Sequence, residues 1–105
     1  MDFEGIFSVT DKVVCVTGGG GGIGRGIAGG FVAGGARVYI ASRSDLAGVA
    51  KELEAEGPGE CIALRADLSK DEDISELVSQ LRDREGKLDV LINNAALGNF
   101  QHRFE

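Results

Sequence analysis

The sequence is poor in basic residues and has no long apolar run. Its 11 Lys and Arg against 17 Asp and Glu give a net charge of −6, and no cluster of Lys or Arg is present that would follow a nucleic-acid backbone. No apolar stretch approaches the roughly 18 residues that a membrane span needs. The first four residues, Met-Asp-Phe-Glu, include two acidic side chains and no basic one, whereas a signal or transit peptide begins with basic residues. We therefore expect no nucleic-acid partner, no membrane association and a cytoplasmic location.

Cysteine and histidine are also scarce. Cys15 and Cys61 are the two cysteines, and we place them on the first and third strands of a sheet. With a second strand between them their Cα atoms would be about 9–10 Å apart, which is beyond the reach of a disulfide. The single histidine, His102, lies alone in a polar tail and is expected to be solvated. We predict two buried thiols and no metal site.

Apolar runs alternate with helical patterns along the chain, which is typical of stacked βαβ units and a parallel sheet. Strands are predicted at residues 12–17, 36–41, 60–65 and 88–93, with a helix between each pair. The third helix has the clearest limits, because Ser69 and Glu72 form a predicted capping box and Gly86 is a predicted stop. We expect one domain over residues 1–105, without linker or repeat.

Apolar stripes predict the buried face of each helix. They consist of Ile23, Ile27 and Phe31 in the first helix, Leu46, Val49, Ala50 and Leu53 in the second, and Ile74, Leu77, Val78 and Leu81 in the third. Three glycines inside the first helix each cost about 1 kcal/mol relative to alanine. This cost favours close packing of the helix against the sheet or a ligand, with a merely weak helix as the alternative.

The sequence Thr-Gly-Gly-Gly-Gly-Gly-Ile-Gly at residues 17–24 joins the first predicted strand to the first helix. Glycines permit positive φ and carry no Cβ, so backbone amides at the start of a helix can approach a phosphate. Several glycine triplets in this stretch fit a dinucleotide fingerprint. Placing the turn directly after Val16 selects Gly18, Gly22 and Gly24, and we predict a nucleotide site there.

This Thr-Gly-x3-Gly-Ile-Gly pattern resembles the glycine motif of the short-chain dehydrogenase/reductase family. Two further segments fit the family's spacing: Asp67 follows the third strand, and Asn93-Asn94-Ala95-Ala96 is similar to the family's Asn-Asn-Ala-Gly, departing from it at Ala96. The resemblance covers residues 3–96 and looks like the fungal 3-oxoacyl-carrier-protein-reductase-like, rhamnolipid-type branch. Residues 97–105 match nothing in the family.

The resemblance implies the N-terminal half of a Rossmann-type α/β domain, β1-α1-β2-α2-β3-α3-β4 with strand order 3-2-1-4, truncated after the fourth strand. It implies that Asp67 binds the adenine amino group and that the next backbone amide, at Leu68, binds the ring. Asn94 and Ala95 would line the cofactor, and the Ala96 methyl group would crowd the nicotinamide riboside. The predicted cofactor-binding residues are Gly18, Gly22, Ile23, Gly24, Arg25, Ser42, Arg43, Asp67, Leu68, Asn94 and Ala95.

The end of the second strand favours NADP(H) over NAD(H). An NAD enzyme usually places a carboxylate there to accept the ribose 2′-OH, whereas this chain has Ser42 and Arg43. Arg43 can pair with a 2′-phosphate, and Ser42 removes the repulsion. Arg25 is a second candidate cation, with an ordinary solvated side chain as the alternative.

The family reaction is hydride transfer between NADP(H) and a carbonyl or alcohol, such as a 3-oxoacyl substrate. The chain lacks the catalytic Ser and Tyr-x-x-x-Lys that the family uses, and its sole tyrosine, Tyr39, has Arg43 at the +4 position. We therefore predict no catalytic residue in this chain and expect it to be the front of a longer reading frame. The isolated chain is expected to be poorly stable or to associate with itself. Two alternatives stay open: a non-catalytic NADP-binding or regulatory module that pairs with a full-length paralogue, and a truncated product without function.

Overall fold

A computed structural model describes residues 8–94 of the chain. Four strands and three helices alternate over this part: β1 (Val13–Thr17), α1 (Gly22–Ala33), β2 (Arg37–Ser42), α2 (Ala47–Glu54), β3 (Glu60–Arg65), α3 (Asp71–Glu85) and β4 (Val90–Asn93). The strands form one parallel sheet in the order β3-β2-β1-β4. The predicted Rossmann-type order is confirmed, and β1 and β4 flank the point at which the strand order reverses.

The helices cover the two faces of the sheet as a right-handed βαβ connection requires. Helices α1 and α2 pack on one face, where Val14, Val16, Val38 and Ile40 meet Ala28, Val32, Ala50 and Leu53. Helix α3 packs on the other face, where Leu77 and Leu81 meet Val13, Cys15 and Tyr39. Cys15 and Cys61 are both buried free thiols, as predicted, and burial raises the pKa of each to about 11.

The predicted apolar stripe of α1 is wrong at its first position. Ile23 is 74% exposed, whereas Gly24, Ala28, Gly29 and Val32 are the buried residues of the helix. Small side chains on this face let the helix approach the sheet and α2 closely, and they displace the larger side chains to the rim. An added Cβ at Gly29 would lie 3.4 Å from Leu53 Cδ2 of α2, and at Gly26 and Gly30 it would meet nothing within 4 Å. These glycines therefore do not mark a close approach of α1 to the sheet, and an approach to a ligand stays a prediction.

The predicted capping box of α3 does not form. Lys70 is the N-cap residue and makes no side-chain capping bond. The Ser69 hydroxyl instead donates to Asp67 Oδ1 (2.6 Å), so its side chain belongs to the turn that starts at Asp67 and does not accept an N–H of the helix. The C-terminal prediction is confirmed, since Gly86 ends the helix with a φ of 73°.

The strand predictions differ from the structure by one residue at β1 and β2 and by two at β4, and that of β3 is confirmed. Residues 88 and 89 were predicted as strand, but β4 begins at Val90. The Asp89 carboxylate accepts the Val13 N–H (2.8 Å), while the Asp89 N–H donates to the Val13 carbonyl (2.9 Å). Asp89 thus closes the start of β1 with its own side chain and does not extend the ladder.

In residues 8–94 the α3 side of the sheet is only partly covered at β4, whose outer edge is unpaired. Leu91 of β4 is in register with Cys15 and so faces the α3 side, where it is 59% exposed. Val78 on α3 and Leu88 before β4 are 46% and 41% exposed. A shallow apolar groove of about 210 Å³ runs beside them. None of the helices in the described part is long and apolar enough to cross a membrane.

Candidate functional site

The glycine turn lies at the carboxyl end of β1, where the sequence predicts it. Gly18 and Gly22 have φ values of 68° and 56°, a conformation that other residues rarely adopt. The Gly18 N–H donates to the Ala41 carbonyl oxygen (2.8 Å) and ties the start of the turn to β2. The turn then delivers the chain into α1, whose first turn carries no acidic side chain.

A Cβ placed at different positions of the turn meets different surroundings. At Gly21 and Gly22 it would project into open space. At Gly24 it would overlap the Gly18 carbonyl oxygen and lie 2.6 Å from Asn94 Nδ2. The turn is therefore closely packed at Gly24, against Gly18 and Asn94, and has a bare side at Gly21 and Gly22, where no protein atom is near.

That bare side fits a dinucleotide pyrophosphate. The first N–H groups of a helix have no acceptor within the helix, and the N-terminus of a helix attracts negative charge. Nothing at Gly21 or Gly22 would obstruct a phosphate that approaches these donors. Gly18, Gly22, Ile23 and Gly24 all lie on this short segment, so the structure brings these predicted residues together.

The ends of β1 and β4 are joined by one buried side chain. The Thr17 hydroxyl donates to Asn93 Oδ1 (3.1 Å) and accepts the Asn94 N–H (3.0 Å). Asn93 is thus used in strand-end hydrogen bonding, while the Asn94 amide reaches Gly24 on α1. Thr17 was missing from the predicted site, although its place directly before the glycines is a signal that could have found it. The predicted site residue Ala95, like Ala96 and His102, lies outside the described residues.

The end of β2 presents Ser42 and Arg43 toward solvent beside β3. The Ser42 hydroxyl oxygen accepts the Ser44 N–H (3.0 Å) and shapes the loop that leads into α2. Arg43 lines a pocket of about 230 Å³ together with Arg65, Ala66, Asp67 and Asp73. Two of the residues predicted for the adenosine half, Arg43 and Asp67, are therefore neighbours.

Asp67 is held in place by the turn that follows it. Its Oδ1 accepts the hydroxyl and the backbone N–H of Ser69 (2.6 and 3.0 Å). The Ser69 hydroxyl, then the Ser69 N–H, and then the charge of Arg43 hold the pKa of Asp67 below its ordinary value. The backbone N–H of Asp67 donates to Asp73 Oδ2 (2.7 Å). Asp67 is thus ionised at neutral pH, and Leu68 follows it directly in the same loop.

Arg25 does not lie beside Arg43 in the structure. Its guanidinium is paired with the Glu52 carboxylate of α2. Both side chains are exposed, and an ion pair of this kind is worth at most about 1 kcal/mol. Arg25 is therefore held loosely at the junction of α1 and α2, next to the glycine turn.

The sequence did not indicate Glu52, Arg65 or Asp73, which stand beside the predicted residues. Glu52 and Asp73 belong to charge-rich helical segments, and Arg65 is the charged last residue of an apolar strand, so each of them, taken locally, predicts only a solvated side chain. Only the packing of α2, β3 and α3 around the β2 end shows what they contact. No group of three or more metal-ligating side chains is found between residues 8 and 94.

The family profile described as short chain dehydrogenase matches residues 12–105, and so extends over residues 97–105, which the resemblance left unmatched. L-fucose dehydrogenase from Bos taurus is 45% identical over 84 residues, which are 80% of this chain and 30% of that protein. The rhamnolipids biosynthesis 3-oxoacyl-[acyl-carrier-protein] reductase from Pseudomonas aeruginosa is 38% identical over 89 residues, 85% of this chain and 35% of the reductase. The chain thus spans about a third of the length of these relatives.

Solved structures share the fold and carry both kinds of cofactor. The Pseudomonas aeruginosa RhlG/NADP active-site complex superposes with a TM-score of 0.81 at 38% identity, over 90% of this chain and 38% of the other. The NADH-dependent reductase A1-R′ complexed with NAD superposes with a TM-score of 0.77 at 34% identity, over 85% and 38%. Likeness to solved structures therefore supports a nicotinamide dinucleotide and does not choose between the phosphorylated and unphosphorylated forms.

Proposed function

The chain belongs to the short chain dehydrogenase family, and from that premise we propose that it is the NADP(H)-binding part of an oxidoreductase. The observation that carries this proposal is the glycine turn, which is bare at Gly21 and Gly22 and closed underneath by the contact between Gly24 and Asn94. A side chain on the outer side of that turn would fill the space that a pyrophosphate needs. In this proposal the turn and the N-terminus of α1 bind the pyrophosphate through backbone N–H groups.

The preference for NADP(H) rests on the end of β2. The family includes users of both cofactors, so this chain's own residues must decide. Arg43 is exposed at the edge of the pocket beside Asp67, and a guanidinium can form charge-assisted hydrogen bonds to a 2′-phosphate. Ser42 stands where a carboxylate would bind the 2′-OH. Arg25 is a second cation that can turn toward the phosphate once it leaves Glu52.

The remaining site residues follow the course of a bound dinucleotide along the carboxyl edge of the sheet. Asp67 is proposed to accept the adenine amino group through its carboxylate, and the Leu68 N–H to bind the ring. Asn94 is proposed to line the site at the end of β4, where its side chain already lies against Gly24. Ala95, which follows Asn94 in the sequence, is proposed to line the same part of the site.

The reaction proposed for the whole enzyme is hydride transfer between NADP(H) and a carbonyl or alcohol, and the bound cofactor supplies or accepts the hydride. Tyr39 is excluded as the proton donor by its position. It is fully buried, and its hydroxyl donates to the Glu85 carboxylate on the α3 side of the sheet. We therefore expect the 105-residue chain to bind cofactor without reducing ketones.

A 3-oxoacyl substrate and the fungal rhamnolipid-type branch remain the narrower part of the proposal. The identity with the bacterial 3-oxoacyl reductase supports the substrate class. The cytoplasmic location is likewise a proposal. We also propose that the open surface formed by Val78, Leu88 and Leu91 associates with a second copy of the chain, because these side chains are both apolar and exposed.

Calorimetric titration with NADPH and NADH tests the cofactor assignment. Wild type is expected to bind NADPH at least about tenfold more tightly, the worth of one charge-assisted contact. A double variant, Ser42→Asp with Arg43→Ile, is expected to lose that preference. It removes the Arg43 guanidinium and introduces a carboxylate where an NAD enzyme usually has one. Equal affinity of wild type for both cofactors, or an unchanged preference in the double variant, would contradict the assignment.

A further inference from the structure

A second arginine, Arg65, lies in the pocket that holds Arg43. Arg65 is the last residue of β3 and is in register with Ser42 of β2. Its Nε donates a hydrogen bond to the Arg43 carbonyl oxygen (3.2 Å). The two guanidiniums and Asp67 line the same space of about 230 Å³. A residue of the third strand is thus bonded to the backbone of the residue proposed to select the cofactor.

The acidic residues of this pocket are already used by the protein. Asp67 Oδ1 accepts two hydrogen bonds from Ser69, and Asp73 Oδ2 accepts the Asp67 N–H. Within residues 8–94, neither Arg43 nor Arg65 forms an ion pair. The pocket therefore holds two arginines that form no ion pair within the described residues, beside two carboxylates that are hydrogen-bonded locally, and the charge of Arg43 lowers the pKa of the nearer one, Asp67.

We propose that Arg65 is a positioning and specificity-determining residue for the adenosine 2′-phosphate of NADP(H). Its Nε–H fixes the Arg43 carbonyl and with it the direction of the loop that carries the Arg43 side chain. A guanidinium has five N–H donors, so the terminal groups of Arg65 remain able to add positive charge beside the phosphate. This inference rests on the proposed function, because it assumes that the adenosine half of the cofactor occupies this pocket.

Adenosine fragments isolate this half of the site. We would titrate the purified chain with adenosine 2′,5′-bisphosphate and with 5′-AMP, which differ by the 2′-phosphate alone. The variants are Arg65→Gln, which removes the charge, and Arg65→Lys, which retains it. The matched control is Arg84→Gln, which removes one positive charge from the exposed side of α3. Circular dichroism of each variant verifies that it is folded.

Wild type is expected to bind the bisphosphate more tightly than 5′-AMP. Arg65→Gln is expected to lose about tenfold in affinity for the bisphosphate, the order expected for one charge-assisted contact, and little for 5′-AMP. Arg65→Lys should lose less than Arg65→Gln because it keeps the charge but not the planar fork. Arg84→Gln should bind both fragments as wild type does.

Four results would overturn the inference, and only the first of them also contradicts the proposed function. If wild type binds both fragments equally or binds neither, the proposed NADP(H) preference fails and the inference fails with it. If wild type discriminates and folded Arg65→Gln discriminates equally well, the inference alone is wrong. If Arg65→Gln loses both fragments in equal measure, Arg65 supports the fold and does not select the phosphate. Should Arg65→Gln not fold, the bisphosphate affinity of Arg65→Lys decides, and an unchanged value there would count against the inference.

Discussion

The side-chain amide of Asn94 lies directly against Gly24, so that a Cβ on this glycine would come within 2.6 Å of Asn94 Nδ2. The same Cβ would overlap the carbonyl oxygen of Gly18. One position of α1 is thereby in contact with both the start of the turn and the end of β4. The closeness of these three segments gives the proposed cofactor site its shape.

Alanine at two glycines of α1 should have opposite effects. Gly24→Ala should lower the free energy of unfolding by about 1–3 kcal/mol, because the new methyl group overpacks a backbone contact. Gly26→Ala is the matched control, since a Cβ at Gly26 meets nothing within 4 Å. It should raise the free energy of unfolding by up to about 1 kcal/mol through helix propensity. Urea unfolding measures both changes.

Cofactor binding separates the two variants further. Gly24→Ala should weaken NADPH binding, because the turn must shift to accept the methyl group, whereas Gly26→Ala should leave binding unchanged. A Gly24→Ala variant that is as stable as wild type and binds NADPH equally well would show that the close contact has no role in the site.

The sequence predicts those features of the fold that local patterns encode. Alternating apolar runs predict the parallel sheet, to which the family resemblance adds the strand order. The position of Gly86 predicts the end of α3, and the placement of Cys15 and Cys61 on non-adjacent strands excludes a disulfide. The glycine turn is predicted in its correct place because positive φ at Gly18 and Gly22 needs a residue type that is visible in the sequence.

The failures arise where a different contact overrides the expected pattern. Ile23 fits the apolar stripe of α1, yet the smaller residues face the sheet because they permit a closer approach. Ser69 has the spacing of a capping residue, yet Asp67 takes its hydroxyl. The Arg25–Glu52 pair and the Arg65–Arg43 bond join separate elements, and no periodicity within one element predicts them.

Removing the partner of Arg25 should improve NADPH binding. Glu52→Gln breaks the ion pair with Arg25 and frees the guanidinium to turn toward a 2′-phosphate. Because an exposed ion pair is worth up to about 1 kcal/mol, the affinity for NADPH should rise by up to about fivefold, with little change for NADH. Glu54→Gln, an exposed carboxylate of the same helix, controls for net charge. An equal gain in Glu54→Gln would mean that Arg25 takes no specific part.

Glu85 connects α3 to β2 through two partners. Its carboxylate accepts hydrogen bonds from Arg37 Nε (2.7 Å) and from the Tyr39 hydroxyl, and its side chain is only 9% exposed. The hydrogen bond from Arg37, followed by that from Tyr39, holds the pKa of Glu85 below its ordinary value. Burial, followed by the Glu85 bond, raises the pKa of Tyr39.

The contribution of Glu85 to stability should depend on pH in the acid range. Because its pKa is lower in the folded chain than in the unfolded chain, where it is about 4.3, the ionised form stabilises the fold above that value. This contribution is lost as the pH falls through the folded-state pKa. At pH 7, Glu85→Gln should lower the free energy of unfolding by about 1–3 kcal/mol.

Urea unfolding of wild type and Glu85→Gln between pH 7 and pH 3 measures this effect. The difference between the two proteins should shrink toward the acid end, since protonated wild type loses what the variant already lacks. Asp83→Asn, at an exposed carboxylate of the same helix, should show a much smaller difference at pH 7. A Glu85→Gln difference that stays constant with pH would contradict the assigned role of the charge.

Self-association of the chain should depend on the open surface beside β4. Between residues 8 and 94, β4 pairs with β1 alone, so its other edge presents free backbone groups next to the exposed Leu91 side chain. Such an edge invites pairing, and a lysine on it opposes pairing. Leu91→Lys should therefore reduce association in sedimentation velocity across a concentration series. Ile23→Lys removes an exposed apolar side chain from α1, away from this surface, and should leave association as in wild type. A wild-type chain that remains monomeric over the series, or an equal reduction by Ile23→Lys, would rule out this surface as the contact.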